Sequence, residues 1–321
     1  MECRPTIATA GKYTNINSGG TTMRNLNRRD FFKKSALLSG GLAMGAAAAE
    51  SQGGEAVKIS AAKKPLLKLG LMSYNLARNW DIETIIKNCT EAKFQHVELR
   101  TTHAHKVEVN LSKAQRKEVR KRFEDSALEA ISLASGFSYH HADAGRLREN
   151  IEGTKEYTKL AHDIGALGIR VFPNAVSDKG VSVEKTLEQI GKAVRECAEF
   201  ARDYGVEIRL SNHGRGTNRV KVIRKIIDCA DSPHVYVNWN CDGSDIEAPG
   251  FESNFNLVKD RIRNLHTHDL FNEKYPYRKL FQLLRENNYN RYCDAEIGES
   301  AEPVRLMKYY RGLFLALQDA L

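Results

Sequence analysis

The chain has 321 residues, and 41% of them are hydrophobic, so it can bury the core of one large α/β domain. More than half of the formal charge of +9 lies before residue 50. The chain from residue 50 onward holds no basic run interleaved with aromatic residues, which argues against a nucleic-acid partner. None of the six cysteines lies in a CxxC pair or at zinc-ligand spacing.

The first segment of the chain has the pattern of an export signal. Arg28–Arg29 are followed by further basic residues and then by a short stretch rich in Leu, Gly and Ala that ends at Ala49. This order is typical of a twin-arginine signal peptide. The stretch is too short and too rich in Gly to span a bilayer, so no stable membrane span is expected. We expect residues 1–64 to be signal and linker, starting at Met1 or Met23, and the protein to be exported to the periplasm.

Short apolar strands alternate with longer helical patterns from residue 65 to residue 321, at the spacing of βα units. The eight predicted strands are Leu66–Tyr74, Gln95–Arg100, Ala130–Ser135, Ile169–Asn174, Val206–His213, His234–Asn240, Ile262–His268 and Tyr292–Gly298. Helical periodicity predicts helices at Ile82–Ala92, Ser112–Ser126, Val183–Tyr204, Arg219–Cys229, Asn254–Asp260, Tyr277–Asn287 and Pro303–Leu317. Eight strands that alternate with helical patterns predict a single-domain (β/α)8 TIM barrel over residues 65–321. No GxGxxG follows the first strand, so a dinucleotide site is not expected.

Alternation along the strands separates an apolar face from a polar one. The apolar face must pack on the helices, so the polar face points into the barrel, and Trp239 on the apolar face is expected to be core packing. The predicted inward residues are Glu98, Arg100, Arg170, Arg209, Asn240, Asp294 and Glu296. An ion-pair network low in the barrel is expected from Arg100, Arg170, Arg209, Glu207 and Asp294. Polar residues at the carboxyl ends of the strands are expected to be functional, because active sites of such barrels lie there.

Four motifs at these strand ends occur in a characteristic order. They are Leu210–Gly214 (LSNHG), Val237–Asn240 (VNWN), Leu265–Asp269 (LHTHD) and Ala295–Glu296. In order and spacing, the chain from residue 66 onward resembles the xylose isomerase-like TIM barrels of the sugar phosphate isomerase/epimerase superfamily. That superfamily also includes inosose dehydratase and type IV endonucleases.

The resemblance implies one divalent metal, bound by Glu, Asp, His and Glu on strands five to eight, with two carboxylates as proton acceptor and donor. His266 and Glu296 match strands seven and eight, whereas Ser211 and Asn240 stand where Glu and Asp are usual. The loss of two carboxylates weakens the site for a hard ion, so manganese, zinc or cobalt is favoured over magnesium. His213 shares the inward face with Ser211 and is the expected further ligand.

The candidate site is therefore assigned by role. Glu296 and Glu98 are the candidate catalytic residues. The candidate metal ligands are His266, Glu296, His213 and Asn240. The candidate substrate-binding residues are Ser211, His268, His103, His140 and Asn174.

Four functions follow from the resemblance and the departures from it. The first is a sugar or keto-sugar isomerase or epimerase that acts through a metal-stabilised enediolate. The second is a lyase or dehydratase in the manner of inosose dehydratase, which needs only one base next to the carbonyl and so fits the loss of a carboxylate. The third is a sugar-binding barrel without catalysis, and the fourth, ranked last, is a nuclease. The partner expected is a small carbohydrate, and the sequence predicts neither which sugar nor the oligomeric state.

Overall fold

The computed structural model describes residues 65–176 and 180–319, which form a closed barrel of eight parallel strands surrounded by helices. Strands β1 to β8, in chain order, are Lys68–Met72, His96–Arg100, Ala130–Ser138, Gly168–Phe172, Glu207–Ser211, Val235–Asn240, Ile262–Thr267 and Tyr292–Ala295. Helices α1 to α8 are Ile82–Ala92, Lys113–Glu124, Ala144–Ile164, Val183–Asp203, Val220–Ala230, Phe251–Val258, Tyr277–Glu286 and Pro303–Ala316. Each strand is followed by one helix, and β1 pairs with β8 to close the barrel. The predicted (β/α)8 fold is confirmed.

The core lies between the strands and the helices, where the apolar face of each strand was predicted to point. Ile208 and Leu210 of β5 are fully buried there. Trp239 of β6 is also fully buried, and its ring packs edge-on against Phe251 and Phe255 of α6, with centroids 6.1 and 5.9 Å away. The prediction that Trp239 is a core residue is confirmed.

Polar side chains form ion pairs and hydrogen-bonded pairs in the lower part of the barrel interior, away from the carboxyl ends of the strands. Arg209 is fully buried and its guanidinium lies 2.7 Å from the Glu207 carboxylate. On the opposite side, His96 Nδ1 lies 2.7 Å from Asp294 Oδ1, and both side chains are fully buried. Pairing offsets the desolvation of these charges. The network predicted low in the barrel is therefore present for Arg209, Glu207 and Asp294.

The helices differ from the prediction in one case and in several boundaries. A capping box begins α2: Ser112 Oγ accepts from Gln115 N, and Gln115 Oε1 accepts from Ser112 N. Helix α3, Ala144–Ile164, was not among the predicted helices, and its buried stripe includes Thr154 and Thr158, which weaken the apolar periodicity. Helix α6 begins at Phe251 rather than at Asn254.

The predicted export signal lies outside the described residues. Within the part of the chain that the structure describes, none of the helices combines the length and apolar character that crossing a bilayer requires.

Candidate active site

A polar pocket of about 310 Å³ opens at the carboxyl ends of the strands. This is the end where βα loops build the functional sites of such barrels. Its lining residues are Tyr74, Arg100, Arg170, Phe172, Ser211, His213, Asn240, His266, His268 and Glu296. Six of the residues predicted for the site, on strands five to eight and their loops, therefore meet in one cavity.

His266, near the end of β7, is held between two carboxylates at the base of this pocket. Its Nε2 is hydrogen-bonded to Oε2 of Glu98, and its Nδ1 lies 3.2 Å from Oε2 of Glu296. Burial favours the neutral imidazole, but the charges of Glu98 and Glu296 outweigh it and raise the pKa of His266 to about 9. In the absence of another cation, His266 is thus an imidazolium that bridges the two carboxylates at neutral pH.

Glu296 directly follows β8 and its side chain is partly open to the pocket. Burial opposes its ionisation, but the hydrogen bond and charge of His266, together with the charges of His268 and Arg170, lower the pKa of Glu296 to about 2. Glu296 is therefore an ionised carboxylate that faces the cavity, which is the state a proton acceptor or a metal ligand needs.

The residues on the pocket side of His266 fit the divalent ion that the family implies. The 3.2 Å between Nδ1 and the Glu296 oxygen is close to the separation of two adjacent ligands that each lie about 2.1 Å from one ion. Glu98 holds the other ring nitrogen, as an outer carboxylate commonly does for a metal-binding histidine. Asn240 lines the same cavity and offers a neutral amide oxygen.

A second group of potential ligand atoms lies inside the barrel, on the side of His266 away from the pocket. Donor atoms of Glu98, His266 and Asp294 all lie within 4.8 Å of one another, and Oε1 of Glu98 is buried with no hydrogen-bond partner among the described residues. Both oxygens of Asp294, however, are already engaged, one with His96 and the other with Asn264 at 2.9 Å. All three side chains are buried, so a substrate would meet an ion only on the pocket side.

The ends of β5 and β6 are joined by a residue that sequence reasoning missed. Asn212 Oδ1 accepts from Asn240 N at 2.6 Å, and Asn212 Nδ2 donates to Asn240 O at 2.9 Å and to Asp245 Oδ1 at 3.2 Å. Asp245 also accepts from the Tyr275 hydroxyl at 2.6 Å, and Tyr275 in turn accepts from the Trp239 indole. This buried chain ties the pocket residue Asn240 to the core. The sequence signal was weak, because Asn212 points away from the cavity.

His213 stands at the mouth of the pocket. Its ring lies 4.6 Å from that of Phe172, and its Nδ1 is 3.1 Å from Oδ1 of Asn174. Burial, and then the nearby Arg170 charge, lower the pKa of His213, so the ring is neutral at neutral pH. Because the Asn174 oxygen accepts from Nδ1, the lone pair of the neutral ring is on Nε2.

Four predicted site residues do not line this pocket. His103 stacks on Tyr74 with centroids 6.1 Å apart, and burial lowers its pKa to about 4. His140 and Asn174 line a neighbouring cavity of about 430 Å³, which meets the first through the bond from Asn174 to His213. Glu98 is fully buried behind His266, so we treat it as a positioning residue.

The position predicted for Arg100 and Arg170, in a network low in the barrel, is wrong, because both line the pocket. The Arg170 guanidinium lies over the Phe172 ring at 4.0 Å, and its Nη1 donates to the carbonyl of Ser135. Tyr74 and Phe172 are the two aromatic lining residues that sequence reasoning missed. Phe172 shares the inward alternation of Arg170, which could have identified it.

Fold and site together define a (β/α)8 barrel with imidazole, carboxylate and amide groups gathered at the carboxyl ends of its strands. The family model described as "Xylose isomerase-like TIM barrel" matches residues 86–311, more than half of the chain. The chain belongs to this family, as the strand-end motifs predicted. Comparison with curated protein sequences gives no significant match.

Solved structures with the same fold include several sugar epimerases. The apo form of 3-keto-D-glucoside 4-epimerase, YcjR, from E. coli is 16% identical, with a TM-score of 0.65 over 78% of this chain and 99% of that one. An L-ribulose 3-epimerase is 16% identical, with a TM-score of 0.65 over 79% and 96%. The IolI protein with a bound zinc atom is 14% identical, with a TM-score of 0.61 over 79% and 98%. At these identities the likeness shows the shared fold.

Proposed function

We propose that this protein is a keto-sugar epimerase that uses a divalent metal at the carboxyl ends of its barrel strands. The observation that carries the proposal is the pairing of His266 Nδ1 with the ionised Glu296 at the base of a polar pocket. Family membership and the sugar epimerases that share this fold support the same chemistry.

In this proposal His266, Glu296 and Asn240 hold the ion, and Glu98 orients His266 from behind. When bound, a divalent ion polarises the carbonyl of the sugar and stabilises the enediolate. A set with one carboxylate, one imidazole and one amide suits manganese, zinc or cobalt better than magnesium. The zinc atom in the IolI structure is consistent with that preference.

The proton transfers are assigned to residues on two sides of the cavity. Glu296 takes the proton from the carbon next to the carbonyl, since it is ionised and open to the pocket. The sequence suggested His213 as a metal ligand, but we assign it to the proton transfer at the opposite face, because its neutral ring presents the Nε2 lone pair at the mouth of the pocket. His213 takes up a proton from solvent on Nε2, delivers it to the carbon and returns to the neutral ring. Ser211 and His268 line the wall between these two groups and are assigned to bind sugar hydroxyls.

The test is hydrogen exchange at carbon, measured by NMR in D2O with a panel of keto-sugars. Wild-type enzyme should introduce deuterium next to the carbonyl and form the epimer. Glu296→Gln should lower the exchange rate by about 10²–10⁴-fold, because it removes the proton acceptor. Glu299→Gln, on the exposed loop that follows, is the matched control and should keep the wild-type rate. Full exchange activity in Glu296→Gln would exclude this assignment.

Metal binding is tested separately by elemental analysis of protein purified without chelators. His266→Ala should lose the ion, since it removes the ligand between the two carboxylates. A wild-type protein that binds no ion at saturating manganese, zinc or cobalt would favour a sugar-binding barrel instead.

One observation favours a second function, a keto-sugar lyase or dehydratase. Ser211 stands in the pocket wall where a second carboxylate is usual, and a hydroxyl is no base near neutral pH. Elimination needs only one base next to the carbonyl and an acid for the leaving group. An unsaturated product in the same NMR experiment would identify the lyase, and an epimer would identify the isomerase.

We also propose that the protein works in the periplasm on a small carbohydrate, after export by a twin-arginine signal within residues 1–64. The support is the order of Arg28–Arg29, apolar stretch and small residues.

A further inference from the structure

The charges around the pocket do not balance. Two arginines, Arg100 and Arg170, line it together with three histidines, and Glu296 is the only acidic residue among the described lining residues. Glu296 is already paired with His266. A neutral sugar would leave the guanidinium groups without a negative partner, and a bound divalent ion would add further positive charge.

Arg170 is the most unusual of these groups. Its side chain is only 4% exposed, yet it forms no ion pair with any residue that the structure describes, and its Nε has no hydrogen-bond partner there. The two carboxylates whose charges act on it most, Glu98 and Glu296, are both bonded to His266. Burial lowers the pKa of Arg170 to about 10, so it is a cation at neutral pH.

Arg170 is held in a fixed orientation although burial of its unpaired charge costs free energy. Its Nη1 donates to the Ser135 carbonyl at 2.8 Å, and its guanidinium lies flat over Phe172. Packing an unpaired cation in this way is expensive, which is why buried charges normally have a partner or a task. Arg209, in register with Arg170 on the next strand, is equally enclosed but has Glu207 as its partner.

Arg100 completes the basic wall. It is partly buried, its Nη1 donates to the Thr101 carbonyl at 3.1 Å, and it too forms no ion pair among the described residues. Its guanidinium lies 6.0 Å from the ring of Tyr74, and the exposed Arg78 lies 5.6 Å from the same ring. A guanidinium has a planar fork of donors that matches an oxyanion group.

We propose that Arg170 and Arg100 bind an oxyanion group of the substrate, so that the sugar taken by this pocket is acidic, with a carboxylate or a phosphate. This inference rests on the proposed function for the sugar and its reacting carbonyl. The charge and the donors of the two arginines specify that the ligand group is an oxyanion. Arg170 lies on β4, across the barrel from β8 and Glu296, so an acidic group bound there stays away from the proton acceptor.

The test compares sugars that differ only in the group at C6, which is neutral, a carboxylate or a phosphate ester. D-glucose, D-glucuronate and D-glucose 6-phosphate, and the same three forms of D-galactose, are titrated into the metal-loaded protein by calorimetry. At least one acidic sugar should bind at least about tenfold more tightly than its neutral counterpart. Binding of the uronates identifies a carboxylate as the anchored group, and binding of the 6-phosphates alone identifies a phosphate. Equal affinity for acidic and neutral forms would overturn the proposal.

Variants of the two arginines test whether these residues cause the preference for acidic sugars. Arg170→Met and Arg100→Met should each reduce the preference for the acidic sugar at least about tenfold, and Arg170→Lys should restore part of it by keeping the charge without the planar fork. Arg170→Met should also raise the melting temperature of the free protein, because an unpaired buried cation is removed. Arg209→Met, the equally buried control, should lower the melting temperature and keep the preference. An unchanged preference in both Arg170→Met and Arg100→Met would refute the assignment.

The same panel separates this proposal from the proposed function. Deuterium exchange into neutral keto-sugars with no preference for acidic ones would leave the epimerase in place and remove the acidic substrate. Tight, arginine-dependent binding of acidic sugars, with no exchange in any matching keto-acid, would support the oxyanion site and exclude the epimerase.

Discussion

Trp239 provides the sharpest test of how the strand faces are assigned, because it sits on the helix side of a strand whose other face lines the pocket. The side chain is fully buried against Phe251 and Phe255 of α6. Its Nε1 donates to the Tyr275 hydroxyl at 2.9 Å, and Tyr275 donates to Asp245. Trp239→Ala therefore opens a large cavity and removes one member of a buried hydrogen-bond chain.

The expected loss of stability is large. Truncation of a buried Trp costs about 3–5 kcal/mol, and the hydrogen bond lost at Tyr275 adds about 1 kcal/mol. For a domain of this size each kcal/mol shifts the melting temperature by about 2–4 °C, so we expect Trp239→Ala to lower it by about 10–20 °C.

The assay is thermal denaturation by circular dichroism, followed by sugar binding at a temperature where each variant is folded. Trp239→Phe is the control. It keeps the aromatic packing and loses the donor, so it should cost about 1–2 kcal/mol. A Trp239→Ala protein with unchanged melting temperature and selectively lost sugar binding would show that this face of β6 lines the pocket, and would refute the strand assignment.

Three further predictions follow from particular residues. Asn212→Ala removes the two bonds that hold the backbone of Asn240, and should cost about 1–3 kcal/mol by urea denaturation and weaken metal binding. Gly214→Ala should lower the melting temperature, because φ is +95° there and a Cβ would lie 2.2 Å from the carbonyl oxygen of Asn174; an unchanged value would contradict this. Replacing Arg28–Arg29 by two lysines should reduce the mature protein in the periplasmic fraction, and equal abundance would exclude the twin-arginine route.

Alternation along the strands predicted much of the site. Ser211, Asn240, His266 and Glu296 share two properties, inward direction and position at a carboxyl end, and both can be identified in the sequence. In a closed barrel these two properties bring side chains from different strands into one cavity, so the pocket follows from the pattern. The contact of His266 with Glu98 was not predicted, because the two residues are 168 positions apart in the chain and the contact depends on barrel geometry.

The main error of the sequence prediction concerned how deep in the barrel the long inward-facing side chains lie. Arg170 and Arg209 are register partners on neighbouring strands, yet one lines the pocket and the other lies low in the barrel. The difference comes from the residue two positions away on the same face. Glu207 precedes Arg209 and pairs with it below, whereas Phe172 follows Arg170 and packs on it above. Inward direction alone therefore does not distinguish a structural arginine from one that faces a ligand.

The departure from the family at strand six can be reversed with almost no change in shape. Asn240 lines the pocket where an aspartate is usual, and Asn240→Asp replaces the amide by a carboxylate of the same size. An anionic oxygen is a better ligand for a hard ion than a neutral one, so manganese should bind about 10–100-fold more tightly, and magnesium should gain at least as much. Asn290→Asp adds the same charge at an exposed position before β8 and should leave metal affinity unchanged. Calorimetric titration of both variants decides the matter. If Asn240→Asp binds manganese no more tightly than wild type while His266→Ala still loses the ion, then the ion lies inside the barrel on the side of His266 away from the pocket and from Asn240, and the proposed ligand set is wrong.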